Sequence, residues 1–239
     1  MLPYSSSQIS RTEKLLDLRR KAASATCETA YLPSNIYKWN QFWTQCYPFG
    51  RANVRTQDFI DMDQVGFKFE SANPKFGKTV SWLRSYMEGQ YNRAKKVNCM
   101  MAVSADPQYN MEWHTVWPQD EEGTTIHWVV YALFELIIDQ LDIDYPGRSF
   151  CFTMDNINIH HNSMIIILIT DRGHQYIFWS PYWPVDGPVE YIFNTIHTQL
   201  MMYYNKIENL VQLENVLDII IANIRHFERY FSHIGFPNT

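Results

Sequence analysis

Residues Ser149–Met154, SFCFTM, form an apolar run that stops on a charge at Asp155. Pro146-Gly147 breaks the chain just upstream. A run this short and this apolar, bounded by a turn, reads as a buried strand. A carboxylate at the end of such a strand is costly unless a cation answers it. The chain must therefore fold around a sheet whose strand end carries a charge in need of a partner.

The flanking pattern supplies the rest of that sheet. Asp58–Phe69, DFIDMDQVGFKF, places apolar residues at Phe59, Met62, Val65, Phe67 and Phe69. That predicts a strand, a turn near Gly66 and a second strand. Ser71–Gly77 has the Asn-Pro and Gly content of a loop, and Val97–Val103 that of a buried strand. Thr124 and Thr125 are N-caps for a helix from about Ile126 to Leu141. A helix over His160–Ile169, a strand over Gln175–Trp179 and a helix over Pro188–Tyr204 follow, the last with Pro in its first turn. Leu210, Leu213, Leu217, Ile220, Ile224, Phe227 and Phe231 are spaced by three, four or seven, which predicts an amphipathic helix, kinked or straight. Strands first, then alternating helix and strand, then helices describe an α/β fold with a mixed sheet. Residues 1–50 read as a helical or irregular extension, with a helix-like run from Gln8 to about Ala25 and an aromatic stretch at Tyr37, Trp39, Trp43 and Tyr47. Residues 51–205 read as the main domain and 206–239 as a C-terminal helix.

At 239 residues, with 46% hydrophobic and 15% aromatic side chains, the chain has material for a real core and is not a disordered tail. FCFTM and MIIILI are too short to cross a bilayer, so no membrane partner is expected, and no signal peptide is evident. Cys27, Cys46, Cys99 and Cys151 form no CxxC pair and read as reduced thiols of an intracellular, non-secreted protein. Fifteen Lys and Arg face eight Asp and Glu in residues 1–96, whereas five face seventeen in residues 97–239. That asymmetry fits either a polyanion partner on one face or charge matching within the chain.

Three carboxylates sit where this layout exposes them: Asp63 in the first strand, Asp155, and Glu190 in the first turn of a helix. Converging, they would repel one another without bound metal. Such a cluster suits hard, oxygen-loving divalent cations, Mg²⁺ most naturally. Singly, each has a plainer reading: Asp63 as a turn former with Asp61 its rival, Asp155-Asn156 as an Asx-turn, Glu190 as a complement to a helix N-terminus. His160 and Asn156 read either as groups that position Asp155 or as local caps.

The segments FIDMDQVGF, FTMDNINIH and PYWPVDGPVEYIFNTI together resemble the three signature blocks of Tc/mariner-type transposases, which are DDE superfamily endonucleases. Asp155 and Glu190 have 34 residues between them and Asp63 and Asp155 have 91, spacings that the family shows. The resemblance covers roughly residues 55–205. Gln64 stands where Glu is usual after the first Asp, and Asp186-Gly187-Pro188 replaces the usual Asn-Pro approach to the glutamate. The resemblance implies an RNase H-like fold, a five-stranded mixed sheet flanked by helices, here with a C-terminal amphipathic extension. It implies that Asp63, Asp155 and Glu190 are catalytic and hold two Mg²⁺ or Mn²⁺ ions, with Asp61, Asn156 and His160 behind them. A catalytically inactive, transposon-derived binding module is the alternative.

The implied reaction is water-driven cleavage of DNA followed by strand transfer, needing no nucleotide cofactor and no covalent protein intermediate. Transposon ends and target DNA are the implied partners, a homodimer the implied assembly and the nucleus the implied location. Lys75, Lys78, Arg84, Arg93, Lys95 and Lys96 form the densest basic stretch, either a phosphate-contacting surface or a solvated face. Tyr182 and Trp183 read as base-stacking or packing residues. Residues 1–50 are short for the paired helix-turn-helix modules that relatives carry, so a catalytic core alone is expected.

Overall fold

The computed structural model describes residues 28–68, 96–106, 112–118, 127–156, 160–181, 187–203 and 206–237. Five strands form one sheet: β1 (Phe59–Lys68), β2 (Lys96–Ser104), β3 (Glu112–Pro118), β4 (Cys151–Met154) and β5 (Gln175–Phe178), in the spatial order β3-β2-β1-β4-β5. The β1–β2 and β2–β3 pairs are antiparallel, the β1–β4 and β4–β5 pairs parallel. This is the mixed five-stranded sheet that the sequence predicts.

Two strand expectations change. No turn forms at Gly66: β1 runs straight through it, with Gly66 opposite Asn98 and Lys68 opposite Lys96. The ladder to β2 overrides the local turn signal, and a Cβ at Gly66 would come within 3.0 Å of the Lys96 side chain. β3 has no counterpart in the sequence reading. Its residues EWHTVWP mix charge with aromatics, and among the described residues it is an edge strand paired through β2 alone.

Strand alternation sorts β1 between two cores. Ile60 and Met62 face a cluster built with α2 (His127–Asp144) and α3 (Ser163–Asp171). α2 contributes Val130, Leu133, Phe134, Ile137, Ile138 and Leu141, the stripe that a 3.6-residue period requires. Phe59 and Phe67 face the other cluster, built with α1 (Pro33–Thr44), α4 (Pro188–Leu200), α5 (Leu210–Ala222) and α6 (Glu228–His233). Asp61 and Asp63 alternate with Ile60 and Met62 and so share this second face.

The helices also differ in detail from expectation. α3 begins at Ser163 rather than His160 because Asn162 caps it, its side chain accepting from the Met164 amide at 3.0 Å. α4 ends at Leu200 and passes into a short 3-10 turn, Met201–Tyr203. The single C-terminal helix is instead two, separated where His226 takes φ 64°. Its predicted apolar stripe is nonetheless spent on the core, with Leu213, Leu217, Ile220, Ile224, Phe227 and Phe231 all buried. The aromatic stretch near residue 40 is α1, with Pro33 in its first turn. It is not peripheral: Phe42 packs on Trp179 at 4.6 Å and Trp43 edge-on to Phe236 at 5.7 Å. Burying a Phe of this kind contributes about 2 kcal/mol. The predicted run Gln8–Ala25 lies outside the described residues. Among the described residues no helix is long and apolar enough to cross a membrane.

Candidate active site

The parallel register of β1 and β4 decides the site. Met62 lies opposite Met154, so Asp63 and Asp155 are the next residues along two adjacent strands. The crevice beyond the C-terminal ends of parallel strands is where α/β sheets bind ligands. Glu190 arrives from a third element, the first turn of α4.

The three acids act on one another. Burial raises the Asp63 pKa well above the usual carboxylate value, and the charge of Asp155 adds to it. The Gln64 amide, which donates to Asp63 Oδ1 at 2.6 Å, works against that rise, and Glu190 and Asp61 reinforce it. Glu190 is also raised, by burial first and by the charge of Asp155, while a hydrogen bond from Asp63 holds it down. Asp63 and Glu190, hydrogen-bonded to each other, thus both hold a proton more tightly than a free carboxylate does. Asp155 meets His160, whose Nδ1 stands 2.6 Å from Oδ1. His160 itself is fully buried, and its Nε2 meets no hydrogen-bond partner among the described residues.

Behind these groups sits Asp61, fully buried opposite Thr153. Burial pushes its pKa up to about 6, against the hydrogen bonds that it accepts from Thr153, Val189 and Trp179. Asn156 donates through Nδ2 to the Trp179 carbonyl, and the Trp179 amide donates to the Met154 carbonyl at 2.7 Å. These two bonds tie the segment after β4 to the end of β5.

Of the basic stretch, only Lys96 is described, heading β2 opposite Lys68. Lys75, Lys78, Arg84, Arg93 and Lys95 lie outside the described residues, as do Tyr182 and Trp183. Sequence reasoning gave Asp61 no partners. Its neighbours are too far away in the chain to be read from local pattern, and a second acid two positions before Asp63 was the one available signal.

The donor set fits a hard divalent cation. It offers carboxylate oxygens from Asp63, Asp155 and Glu190, the hard ligands that such ions prefer. As the side chains stand, no three His, Cys, Asp or Glu groups among the described residues are close enough to hold an ion together.

No family model matches the sequence, and no curated protein matches it. Solved structures do match. The Mos1 mariner paired-end complex with Mn aligns at TM-score 0.69 and 13% identity, over 96% of this chain and 67% of that one. The Mos1 transposase paired-end complex with left transposon end aligns at 0.68 and 13%, over 96% and 66%. The catalytic domain of Mos1 mariner transposase aligns at 0.58 and 12%, over 90% and 91%. The chain thus spans about two thirds of the length of the first two and nearly all of the third. It has the RNase H-like fold of that catalytic domain.

Proposed function

We propose that this chain is a Tc/mariner-type transposase catalytic core, a divalent-metal-dependent DNA endonuclease and strand transferase. The observation that carries the reading is the convergence of Asp63 on β1, Asp155 just past the parallel strand β4 and Glu190 at a helix start, with Asp155 raising the proton affinity of both others. The fold shared with a transposase catalytic domain supports it, as do neighbours solved with Mn, with Mg and with a transposon end.

In this reading Asp63, Asp155 and Glu190 hold two ions. When bound, such ions lower the pKa of a water and stabilise the departing 3′ oxygen of a phosphodiester. The chain's own residues prepare the place. Asp63 and Glu190 would serve as anionic ligands, the charge of the ions offsetting the burial and repulsion that raise their affinity for protons. His160 holds Asp155 from the buried side, and Asn156 fixes the turn after β4. The basic stretch from Lys75 to Lys96 supplies phosphate contacts to DNA.

Calorimetry of Mn²⁺ binding, with nicking of supercoiled plasmid followed in parallel, tests this on the wild type and Asp155→Asn. Binding and nicking that both disappear in the variant are the expected result. Equal weak binding in both proteins with no nicking would sink the enzyme reading and leave a transposon-derived fold without its chemistry.

A further inference from the structure

We infer that Asp61 is the positioning residue of this site, one buried carboxylate that tethers the segments bearing all three acids. The inference rests on the function proposed above. Oδ1 of Asp61 accepts from Thr153 Oγ1 and from Trp179 Nε1, each at 2.7 Å, and Oδ2 accepts from the Val189 amide at 2.9 Å. Each donor belongs to a different part of the site. Thr153 lies on β4 two residues before Asp155. Trp179 ends the β5 segment that receives the Asn156 side chain. Val189 immediately precedes Glu190, and Asp61 itself stands two residues before Asp63 on β1.

The Val189 contact says most. α4 begins at Gly187, an N-cap with no side chain to satisfy the open amides of the first turn. The strand supplies what the cap lacks. Asp61 Oδ2 caps α4 from across the core, and the helix turn so anchored presents Glu190 to Asp63. A side chain that merely filled this space would be apolar, since a buried carboxylate is costly without donors. Here three donors from three elements converge on it, and all its contacts serve the geometry of the acids.

Asp61→Asn keeps the volume but replaces one acceptor oxygen with an NH₂ group, so at least one tether is lost. In a protein that still unfolds cooperatively, the Mn²⁺ Kd should rise about tenfold and the nicking kcat should fall about 10- to 100-fold, the effect of losing an outer partner of a metal ligand. KM for plasmid should stay unchanged, because the DNA surface is untouched. A lower Tm with wild-type Kd and kcat would overturn the inference and leave Asp61 a stabilising residue only.

Hydrogen exchange supplies a readout independent of activity. The Trp179 indole N–H and the Val189 amide should exchange faster in Asp61→Asn, while the Leu217 amide in α5 should not change. Unchanged exchange at both would also overturn the inference. A wild type that neither binds Mn²⁺ nor nicks DNA would defeat the proposed function. Faster exchange at the two tethers would then still establish Asp61 as the anchor of α4. If Asp61→Asn fails to fold, Thr153→Val removes one donor at nearly constant volume and is read the same way, with a rise in Kd expected and no change overturning.

Discussion

Just before β1, Asp58 takes both of its oxygens to Arg55, at 2.6 and 3.0 Å, and receives Arg148 Nε at 2.8 Å. Arg148 also reaches Asp106 at 3.0 Å and the Gln57 carbonyl at 2.8 Å. Five residues further along the chain, Asp63 meets other carboxylates, and its pKa rises. The chain thus carries acids just before β1 and half-way along it, matched by arginines at the first place and pressed against one another at the second. Matched acids hold elements together and need nothing further. Acids forced into one another's company mark the place that a cation would relieve.

The contrast can be broken most severely at the matched end. Arg148→Ala would leave Asp106 buried without that cation and Asp58 with Arg55 alone, and should destabilise the protein by about 3 kcal/mol. Urea unfolding would measure it. At the other end, saturating Mn²⁺ should add about 2.7 kcal/mol at a concentration 100 times its Kd. A thermal shift that vanishes in Asp155→Asn would report it.

The pH dependence sharpens the same contrast. Asp61, Asp63 and Glu190 all bind protons more tightly folded than unfolded. Their contribution to the metal-free protein is fully present below the ordinary carboxylate range and is lost as pH rises through the raised values, which for Asp61 means through about 6. Stability should therefore fall between pH 4 and 8 by on the order of 2–3 kcal/mol from Asp61 alone. Asp63→Asn should flatten the slope in urea titrations, and Arg55→Gln should not.

The smallest effect belongs to His114 on β3, which pairs with Glu112 and, at 3.2 Å, with Asp218 on α5. Burial lowers its pKa, but the hydrogen bonds and charges of those two acids outweigh it. The clasp is thus fully present below the ordinary histidine value and lost as pH rises through the raised one. Because Asp218 is half exposed, Asp218→Asn should lose only about 0.5 kcal/mol. The loss should be seen at pH 6 and not at pH 9.

What could be read from the sequence follows from where each signal resides. β2 and β4 are buried apolar runs, and a run is a local property, so both were legible. β3 was not, because an edge strand half open to solvent alternates too weakly to be told from a loop. Gly66 misled for the opposite reason: its local meaning is a turn, but nine consecutive pairs with β2 hold the strand straight. The break at His226 depends on one positive φ that no composition announces. The three acids were singled out by their blocks of neighbours, and the β1–β4 register and the start of α4 set where they lie. The tethers of Asp61 were not, because its donors lie 92, 118 and 128 residues away in the chain.

The register of β1 against β4 carries one more consequence. Asp155 follows β4 at the level at which Asp63 sits on β1, so their backbones stand about 4.8 Å apart, a distance set by main-chain hydrogen bonds and not by either side chain. The 91 residues that separate them in the chain could lengthen or shorten without touching that distance, provided the change falls in a connection. Inserting a single residue within Cys151–Met154 would instead turn Asp155 to the opposite face of the sheet. The sheet thus works as a ruler with one graduation, indifferent to how much chain is wound between its marks. Sequence spacing can drift across distant relatives of such a fold while the ladder position stays fixed.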